Sequence, residues 1–244
     1  MREARDRHDR PQPGHRLQPG GPVRRREGLR LRPRGRRRGH RRVPRDQVRR
    51  DGDVNPLERV REWFDQAVAA GLAEPNAMAL ATASPDGMPS VRIVLLKGID
   101  DRGVQFFTNY ESRKGRELEL NPRAAATLYW QPLQRAVRLE GVVVRVSEEE
   151  SDAYFASRPR GSRLGAWASR QGSAISSRES LEHALERAGD EHPGEDVPRP
   201  AYWGGYRLIP EAVELWEGRP NRLHERMHYL LEPDGTWRTE RLSP

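Results

Sequence analysis

The sequence predicts a β-rich α+β fold, an antiparallel barrel with flanking helices, preceded by a disordered Arg-rich N-terminal extension. Three observations support this prediction. Short β-prone runs follow one another with tight turn signals between them, helical patterns interrupt these runs, and residues 1–50 contain few apolar and no aromatic side chains. We therefore place the extension at 1–52 and a single folded domain at 53–244.

The extension accounts for all of the net positive charge of the 244-residue chain. Residues 1–50 contain 19 of the 44 basic residues but only five of the 36 acidic ones, so they carry +14 and the remainder carries −6. With six Pro, six Gly and no Phe, Tyr or Trp, the segment cannot bury enough apolar surface to offset its ordering entropy. We expect disorder, from either a start codon assigned too far upstream or a dispensable extension.

Composition excludes several classes of protein. No apolar run follows the N-terminal charges, as a secretory signal requires, and no stretch approaches the ~18 apolar residues of a membrane span. The absence of Cys excludes disulfides, Cys-ligated zinc, iron–sulfur clusters and cysteine nucleophiles. We expect a cytoplasmic protein without membrane contact. The Arg-rich segment can attract nucleic acid by counterion release, but it has no aromatic residues to stack on bases, so no specific nucleic-acid partner is expected.

The folded domain opens with a helix. Asn55 as the N-cap, Pro56 at the first helical position and Glu58 three residues after the cap are helix-start signals. Apolar residues at helical spacing then predict one buried stripe, formed by Leu57, Val60, Phe64, Val68 and Leu72, with the helix ending near Gly71. We expect this helix to cover an edge or an end of the sheet.

Strands and further helices follow in alternation. The predicted strands span 78–83, 91–96, 104–108, 124–129, 137–146, 202–208 and 212–216, with a last pair around the turn at 233–235. The predicted helices span 113–120, 148–157 and 178–188. Connections this short favour antiparallel hairpins, and several hairpins in a row favour a closed or nearly closed barrel.

Five basic or helix-capping residues suggest an anion site. Lys97 and Lys114 are the two lysines among 44 basic residues, so each is either a chance survivor or a candidate for a role that needs a compact ammonium. Arg92 interrupts an apolar strand, as an edge residue or an anion ligand. Arg113 and Lys114 follow the N-cap Ser112, where each cation opposes the helix dipole by about 0.3–1 kcal/mol. A bound phosphate removes that conflict, so we favour a phosphate site over an exposed pair.

A second group of anion ligands is suggested further along the chain. Tyr154, Arg158 and Ser162 offer two hydroxyls and a guanidinium around a predicted helix end, a set that suits a phosphate monoester. Arg, Pro, Gly and Ser also form ordinary loops, so by itself the run 154–162 is a weak signal.

The run His-Glu-Arg-Met-His at 224–228 matches the H-E-x-x-H pattern of zinc metalloproteases, which requires a helix so that both His share one face. The turn at 233–235 truncates any such helix, and the third His of related zinc sites is absent. We favour a strand in which Arg222, His224 and Arg226 share one face. The zinc alternative would use His224, Glu225 and His228.

Seven motifs, in order and with matching spacing, resemble the pyridoxamine 5′-phosphate oxidase family. They lie at 74–78, 92–97, 107–114, 157–160, 165–167, 203–207 and 221–226. The resemblance extends from about residue 53 to the C-terminus. It implies an FMN-binding split β-barrel and a homodimer with FMN in clefts shared by both subunits.

The resemblance also implies two sets of ligands. The implied FMN contacts are Arg92, Ile93, Val94, Leu95, Leu96, Lys97, Phe107, Thr108, Arg113, Lys114, Gln171, Gly172, Trp216 and Arg226. The implied substrate contacts are Lys97, Tyr154, Arg158, Ser162, Arg222 and His224, of which the last two are also the candidate catalytic residues. Ala136 and Gly172 stand where many family members have Gln and Ser, which implies the loss of one or two hydrogen bonds to FMN.

The implied activity is the oxidation of pyridoxamine 5′-phosphate and pyridoxine 5′-phosphate to pyridoxal 5′-phosphate. A hydride would pass from the C4′ carbon of the substrate to N5 of FMN, and dioxygen would reoxidise the flavin to give hydrogen peroxide. The alternatives are another split-barrel flavin-dependent oxidoreductase, the zinc hydrolase, and a nucleic-acid-binding module that works through the extension.

Overall fold

The computed structural model describes residues 55–244 together with a two-residue strand, β1 (Arg49–Arg50). All of these residues belong to one compact unit, Val43–Pro244. Strand β1 pairs antiparallel with the last strand, β9 (Trp237–Arg241). Apart from β1, the extension predicted to be disordered at 1–52 lies outside the described residues.

The described residues form nine strands and five helices. Between the two terminal strands lie β2 (Ala77–Ala83), β3 (Pro89–Asp100), β4 (Gly103–Asn109), β5 (Arg123–Trp130), β6 (Arg135–Arg145), β7 (Trp203–Glu217) and β8 (Glu225–Leu231). The helices are α1 (Pro56–Ala69), α2 (Arg113–Leu120), α3 (Glu148–Ser157), α4 (Arg160–Ala168) and α5 (Arg178–Glu191). None of the helices among the described residues is long and apolar enough to cross a membrane.

Six strands close an antiparallel barrel, as the sequence predicted. The order is β7-β4-β3-β2-β5-β6, and β6 pairs with β7 to complete the ring. Strand β7 is 15 residues long, so its first half pairs with β4 while its second half pairs with β8. Strands β8 and β9 therefore extend the sheet beyond the barrel.

Side chains that point inward at alternate positions of the strands form the hydrophobic core. Inward side chains from five barrel strands are fully or almost fully buried, among them Leu80, Phe106, Leu128, Leu139 and Val213. Helix α1 packs against the same core, and the side chain of its N-cap Asn55 accepts a hydrogen bond from the backbone N–H of Leu57 at 3.0 Å. The barrel interior is thus filled with side chains, and any ligand site must lie on its outer surface.

The buried stripe of α1 differs from the predicted one. Trp63 and Ala67 are buried, whereas Val68 is 51% exposed. Steps of three residues keep Leu57, Val60 and Trp63 on one face, and the two consecutive steps of four from Val60 through Phe64 rotate Val68 away from it. The predicted helix is correct, and its stripe was wrong at Val68, whereas Phe64 and Leu72 pack against the core as predicted.

Two further elements differ from the prediction. The strands predicted at 202–208 and 212–216 form one continuous strand, β7, because Pro210 sits opposite an irregularity of β6 at Gly141. A Cβ on Gly141 would lie 2.1 Å from the carbonyl oxygen of Ile209, so glycine permits this close approach. Helix α4 was not predicted, since its N-cap Pro159 makes no side-chain capping hydrogen bond.

Candidate active site

An open cleft of about 980 Å³ lies on the outside of the barrel, beside β3, β4 and the starts of α2 and α4. Most of the predicted ligands line it, although they come from distant parts of the chain. These residues are Arg92, Ile93, Val94, Leu95, Lys97, Phe107, Thr108, Arg113, Lys114, Tyr154, Arg158, Ser162, Gln171 and Gly172. Both lysines of the chain are among them. Leu96 alternates with its neighbours and points its buried side chain into the core.

Helix α2 begins at the cleft. The side chain of its N-cap Ser112 accepts a hydrogen bond from the backbone N–H of Gly115, which fixes the first turn. A Cβ on Gly115 would lie 1.9 Å from the carbonyl oxygen of Tyr110, so only glycine lets the helix start this close to the preceding turn. This start places Arg113 and Lys114 along the cleft wall.

Lys114 is a buried cation whose hydrogen bonds all go to neutral oxygens. Its side chain is 7% exposed, and Nζ donates to Thr108 Oγ1 at 3.0 Å, Ser112 Oγ at 3.1 Å and Gln171 Oε1 at 3.1 Å. Burial, and secondarily the charge of Arg92, lowers the pKa of Lys114 to about 8. No carboxylate of the described residues forms an ion pair with Lys114, so an incoming anion would supply the missing counter-charge.

Arg92, on β3, lies near Lys114 of α2, and its side chain is fixed by hydrogen bonds to residues of β2 and β3. Its guanidinium donates to the carbonyl oxygen of Leu80 at 3.2 Å and to the hydroxyls of Thr82 and Ser90. Burial is the main reason that the pKa of Arg92 lies below its usual value. The part of β3 around Arg92 pairs with β2 alone, so Arg92 does lie on an edge segment, but its side chain is only 20% exposed and surrounded by hydrogen-bond partners, so the solvated interpretation is wrong.

A second cationic group lies where α3 meets α4. The guanidinium carbon of Arg158 is 4.6 Å from the ring centroid of Trp203, and its buried Nη1 atom has no hydrogen-bond partner within residues 55–244. Burial lowers the pKa of Arg158. Nζ of Lys97 lies 5.8 Å from the ring centroid of Tyr154, and Ser162 lines the cleft from the first turn of α4. An unpartnered buried N–H next to a second cation suits a small anion.

Aromatic rings form one wall between these cationic groups. Phe107 and Tyr154 stack with ring centroids 3.9 Å apart, and Tyr154 is nearly parallel to Trp203 at 6.1 Å. Sequence reasoning did not select Trp203 as a site residue. The only sequence signal for a role of Trp203 in the site was its position at the start of the 203–207 motif. In the structure, the pairing of Trp203 with Asn109 on β4 brings it to the cleft.

The remaining predicted ligands form a separate C-terminal cluster, which we define as Trp216, Arg222, His224 and Arg226. The His224 ring lies 4.7 Å from the Trp216 ring, and Nδ1 of His224 accepts a hydrogen bond from the backbone N–H of Arg219 at 3.2 Å. Arg226 faces Trp216 across the β7–β8 ladder. Trp203 and Trp216 stand at opposite ends of β7, up to roughly 43 Å apart along a straight strand. Trp203 lines the cleft, but none of the four residues of the C-terminal cluster does, so one chain does not bring this cluster to its own cleft wall.

The segment before β8 corrects two predictions. Arg222 and Asn221 have left-handed backbone angles, with φ of 62° and 58°, and the strand begins only at Glu225. The prediction that Arg222, His224 and Arg226 share one strand face is wrong, because a turn intervenes. The zinc alternative requires a helix at 224–228, but Glu225 to His228 lie in strand β8. No group of three or more His, Asp or Glu side chains in the described part of the chain is placed to hold a metal ion.

The six-stranded antiparallel barrel and its flanking helices define a split-barrel protein. A pyridoxamine 5′-phosphate oxidase-related, FMN-binding protein of Nostoc punctiforme has this fold, with a TM-score of 0.62 at 19% identity over 75% of this chain and 97% of that one. PhzG from Burkholderia lata, solved in complex with tetrahydrophenazine-1-carboxylic acid, has a TM-score of 0.75 at 35% identity over 80% and 95% of the two chains.

The chain belongs to the pyridoxamine 5′-phosphate oxidase family. Residues 64–191 match the pyridoxamine 5′-phosphate oxidase family model, and residues 203–244 match the pyridoxine 5′-phosphate oxidase C-terminal dimerisation region. A pyridoxine/pyridoxamine 5′-phosphate oxidase of Cupriavidus taiwanensis is 58% identical over 190 residues, which cover 78% of this chain and 89% of the relative. One from Rubrobacter xylanophilus is 58% identical over 192 residues, covering 79% and 88%.

Proposed function

We propose that this protein oxidises pyridoxamine 5′-phosphate and pyridoxine 5′-phosphate to pyridoxal 5′-phosphate with FMN as its cofactor. The names of relatives at 58% identity support this activity. The observation that carries the proposal to this chain is the pair of cationic groups in one aromatic-walled cleft, around Lys114 and around Arg158. Two phosphate esters, one on the cofactor and one on the substrate, account for both groups.

Lys114, Arg113 and Arg92 would hold the FMN phosphate. Lys114 is a buried ammonium without a carboxylate partner among the described residues, so the donor set fits a phosphate dianion. Thr108 and Gln171 orient Lys114. When bound, FMN supplies a two-electron acceptor that takes hydride from the substrate and is reoxidised by dioxygen.

Lys97, Tyr154, Arg158 and Ser162 would bind the substrate phosphate. The Arg158 guanidinium lies over Trp203, which orients its plane, and its unpartnered Nη1 atom would donate to a phosphate oxygen. Anchoring the substrate at its phosphate fixes the position of the reacting carbon. Much of the rate acceleration would then come from positioning.

A homodimer would complete each cleft with the C-terminal cluster of the other protomer. The match of residues 203–244 to a dimerisation region supports this arrangement, and so do the exposed apolar side chains of Val91, Ile93 and Leu95 beside the cleft. In such a dimer Trp216 and Arg226 would contact FMN. Arg222 would stabilise negative charge near the substrate ring, and His224 would assist a proton transfer.

Purified protein tests the proposed function directly. We expect a yellow protein that releases FMN on denaturation and consumes oxygen with pyridoxamine 5′-phosphate or pyridoxine 5′-phosphate. Pyridoxine without its phosphate should be a poor substrate, because the group around Arg158 would have no ligand. A flavin-loaded protein that turns over neither phosphorylated compound would favour a different split-barrel oxidoreductase.

A further inference from the structure

A buried carboxylate lies behind the cationic group on α2. Glu117 is 6% exposed and does not line the cleft, yet its two carboxylate oxygens accept hydrogen bonds from side chains of β2, β3 and α2. Its Oε1 accepts from Arg113 Nε at 2.8 Å. Its Oε2 accepts from Thr82 Oγ1 at 2.5 Å and Ser90 Oγ at 2.6 Å, and lies 3.4 Å from Arg92 Nη2.

The two hydroxyls connect this carboxylate to Arg92. Thr82 donates its proton to Glu117 Oε2 and accepts from Arg92 Nη1, and Ser90 does the same with Arg92 Nη2. A hydroxyl has one proton, so the carboxylate fixes the direction of each hydroxyl and leaves its lone pairs for the guanidinium. Glu117 thereby orients Arg92 through two intermediate groups as well as by direct attraction.

Arg113 is held in a different way. Its side chain is 60% exposed, and only Nε is bound to Glu117, one helical turn later on the same face. Neither Nη atom of Arg113 has a hydrogen-bond partner among residues 55–244. A long exposed side chain is thus tethered at its inner nitrogen, with its outer nitrogens left for another ligand on the cleft side.

The charges of this group also balance. Hydrogen bonds from Ser90, Thr82 and Arg113 outweigh the effect of burial and hold the pKa of Glu117 at about 2, so it is ionised at neutral pH. Arg92, Arg113 and Lys114 together with Glu117 therefore carry a net charge of +2. A phosphate monoester carries about −1.5 to −2 at pH 7, so the group is neutralised by one such ligand.

We infer that Glu117 is a positioning residue that orients Arg92 and Arg113 for the phosphate of FMN. The inference rests on the proposed function, which places that phosphate at these residues. Orientation and plain electrostatics predict opposite effects of removing the negative charge. If Glu117 only repels the phosphate, its neutralisation strengthens binding. If it holds the two guanidinium groups in place, its neutralisation weakens binding, because both side chains regain conformational freedom.

The test compares FMN with riboflavin, which lacks the phosphate, in Glu117→Gln. Dissociation constants are measured on the apoprotein by quenching of flavin fluorescence. We expect FMN affinity to fall by about tenfold while riboflavin affinity stays unchanged, since the lost interaction acts through the phosphate ligands. The matched control is Glu119→Gln on the same helix, whose carboxylate is 61% exposed and pairs with Arg145 away from the cleft. It should behave as the wild type.

A second variant covers the case in which Glu117→Gln does not fold. Thr82→Val keeps the shape of a buried residue and removes one of the two hydroxyls between Glu117 and Arg92, so it should lower FMN affinity about threefold and leave riboflavin unaffected. Unchanged or increased FMN affinity in the folded variants, or an equal loss for both flavins, would overturn the positioning role. A wild type that binds riboflavin as tightly as FMN would instead contradict the proposed phosphate site.

Discussion

Nζ of Lys114 lies 3.1 Å from Oε1 of Gln171, so a helix that begins after β4 is joined to a loop that follows α4, 57 residues later. The same amide oxygen accepts a hydrogen bond from Thr108 at 2.9 Å. Gln171 therefore holds the one buried ammonium of the cleft wall against β4. Burial and the nearby charge of Arg92 lower the pKa of Lys114, so its protonation state depends on the assembled cleft rather than on α2 alone.

FMN affinity should depend on pH through Lys114. Its pKa of about 8 is below the usual 10.5, so the ammonium is charged below pH 8 and loses its proton as the pH rises above it. The charged form binds phosphate, so the dissociation constant of FMN should rise by up to ~10-fold per pH unit above pH 8. Fluorescence titrations between pH 7 and 9.5 measure this change. Lys114→Ala should bind weakly with little pH dependence, and a flat wild-type profile would contradict the assignment.

Removing either cation of the first turn of α2 should weaken FMN binding. Each charge-assisted hydrogen bond to the phosphate contributes about 1.5–3 kcal/mol, so Arg113→Ala and Lys114→Ala should each raise the dissociation constant by at least tenfold. Arg116→Ala is the control, since Arg116 is on the same helix but bonds to the carbonyl oxygen of Glu111 outside the cleft. Wild-type affinity in both test variants would disprove the phosphate role.

Arg158→Ala should impair substrate binding and leave the flavin in place. The KM for pyridoxine 5′-phosphate should rise by about tenfold or more, because a charged donor to the substrate phosphate is lost. Steady-state kinetics and the flavin content of the purified variant provide the two readouts. Arg160→Ala, which removes bonds to the carbonyl oxygens of His192 and Gly194, should keep a KM near that of the wild type. Loss of flavin from Arg158→Ala would place Arg158 at the cofactor instead.

Mixed dimers test whether two protomers share each site. Lys114→Ala damages the cleft, and Arg222→Ala damages the C-terminal cluster, so each homodimer should be nearly inactive. If sites are shared, a heterodimer of the two chains contains one site with both parts intact, and random mixing should restore about a quarter of wild-type activity. Co-expression with two affinity tags isolates the heterodimer. Heterodimers no more active than the parents would mean that each site is built within one chain.

Two glycine-to-alanine substitutions should show separately how a steric clash and how helix propensity change the free energy of unfolding. In Gly115→Ala the new Cβ would lie 1.9 Å from the carbonyl oxygen of Tyr110, so we expect a loss of about 1–3 kcal/mol in the free energy of unfolding and weaker FMN binding. Gly189 is also helical, but a Cβ there meets nothing within 4 Å. Gly189→Ala should therefore stabilise α5 by about 0.5–1 kcal/mol. Chemical denaturation of the apoprotein measures both effects.

Local signals in the sequence predicted much of the fold. Helix α2 spans the predicted residues because Ser112 caps it and Asn121 ends it. Helix α4 was missed because no capping side chain marks its start at Pro159. The turn before β8 was missed because Arg222 adopts a left-handed conformation that its residue type rarely favours. Packing with the rest of the chain determines both this helix start and this turn, and the local sequence pattern does not mark either of them.

The candidate site was only partly predictable. The resemblance implied a set of ligands, but it did not tell which of them share one cleft within a chain. That division depends on β7, which carries Trp203 to the cleft and Trp216 to the C-terminal cluster. The role of Glu117 escaped sequence reasoning altogether, because an acidic residue on a short polar helix is ordinarily a solvated one. Only the approach of β2 and β3 behind α2 identifies it.

Strand β7 also limits how this protein can change over evolutionary time. Its backbone pairs with three other strands of the sheet, β4, β6 and β8, so one residue deleted near its middle would turn Trp216 to the opposite face while leaving Trp203 in place. Such a deletion would also turn the core residues Val213 and Leu215 outward, so it would disrupt the closure of the barrel against β6 together with the C-terminal cluster. Insertions and deletions should therefore be tolerated in the loop between α5 and β7 and eliminated by selection within the strand itself.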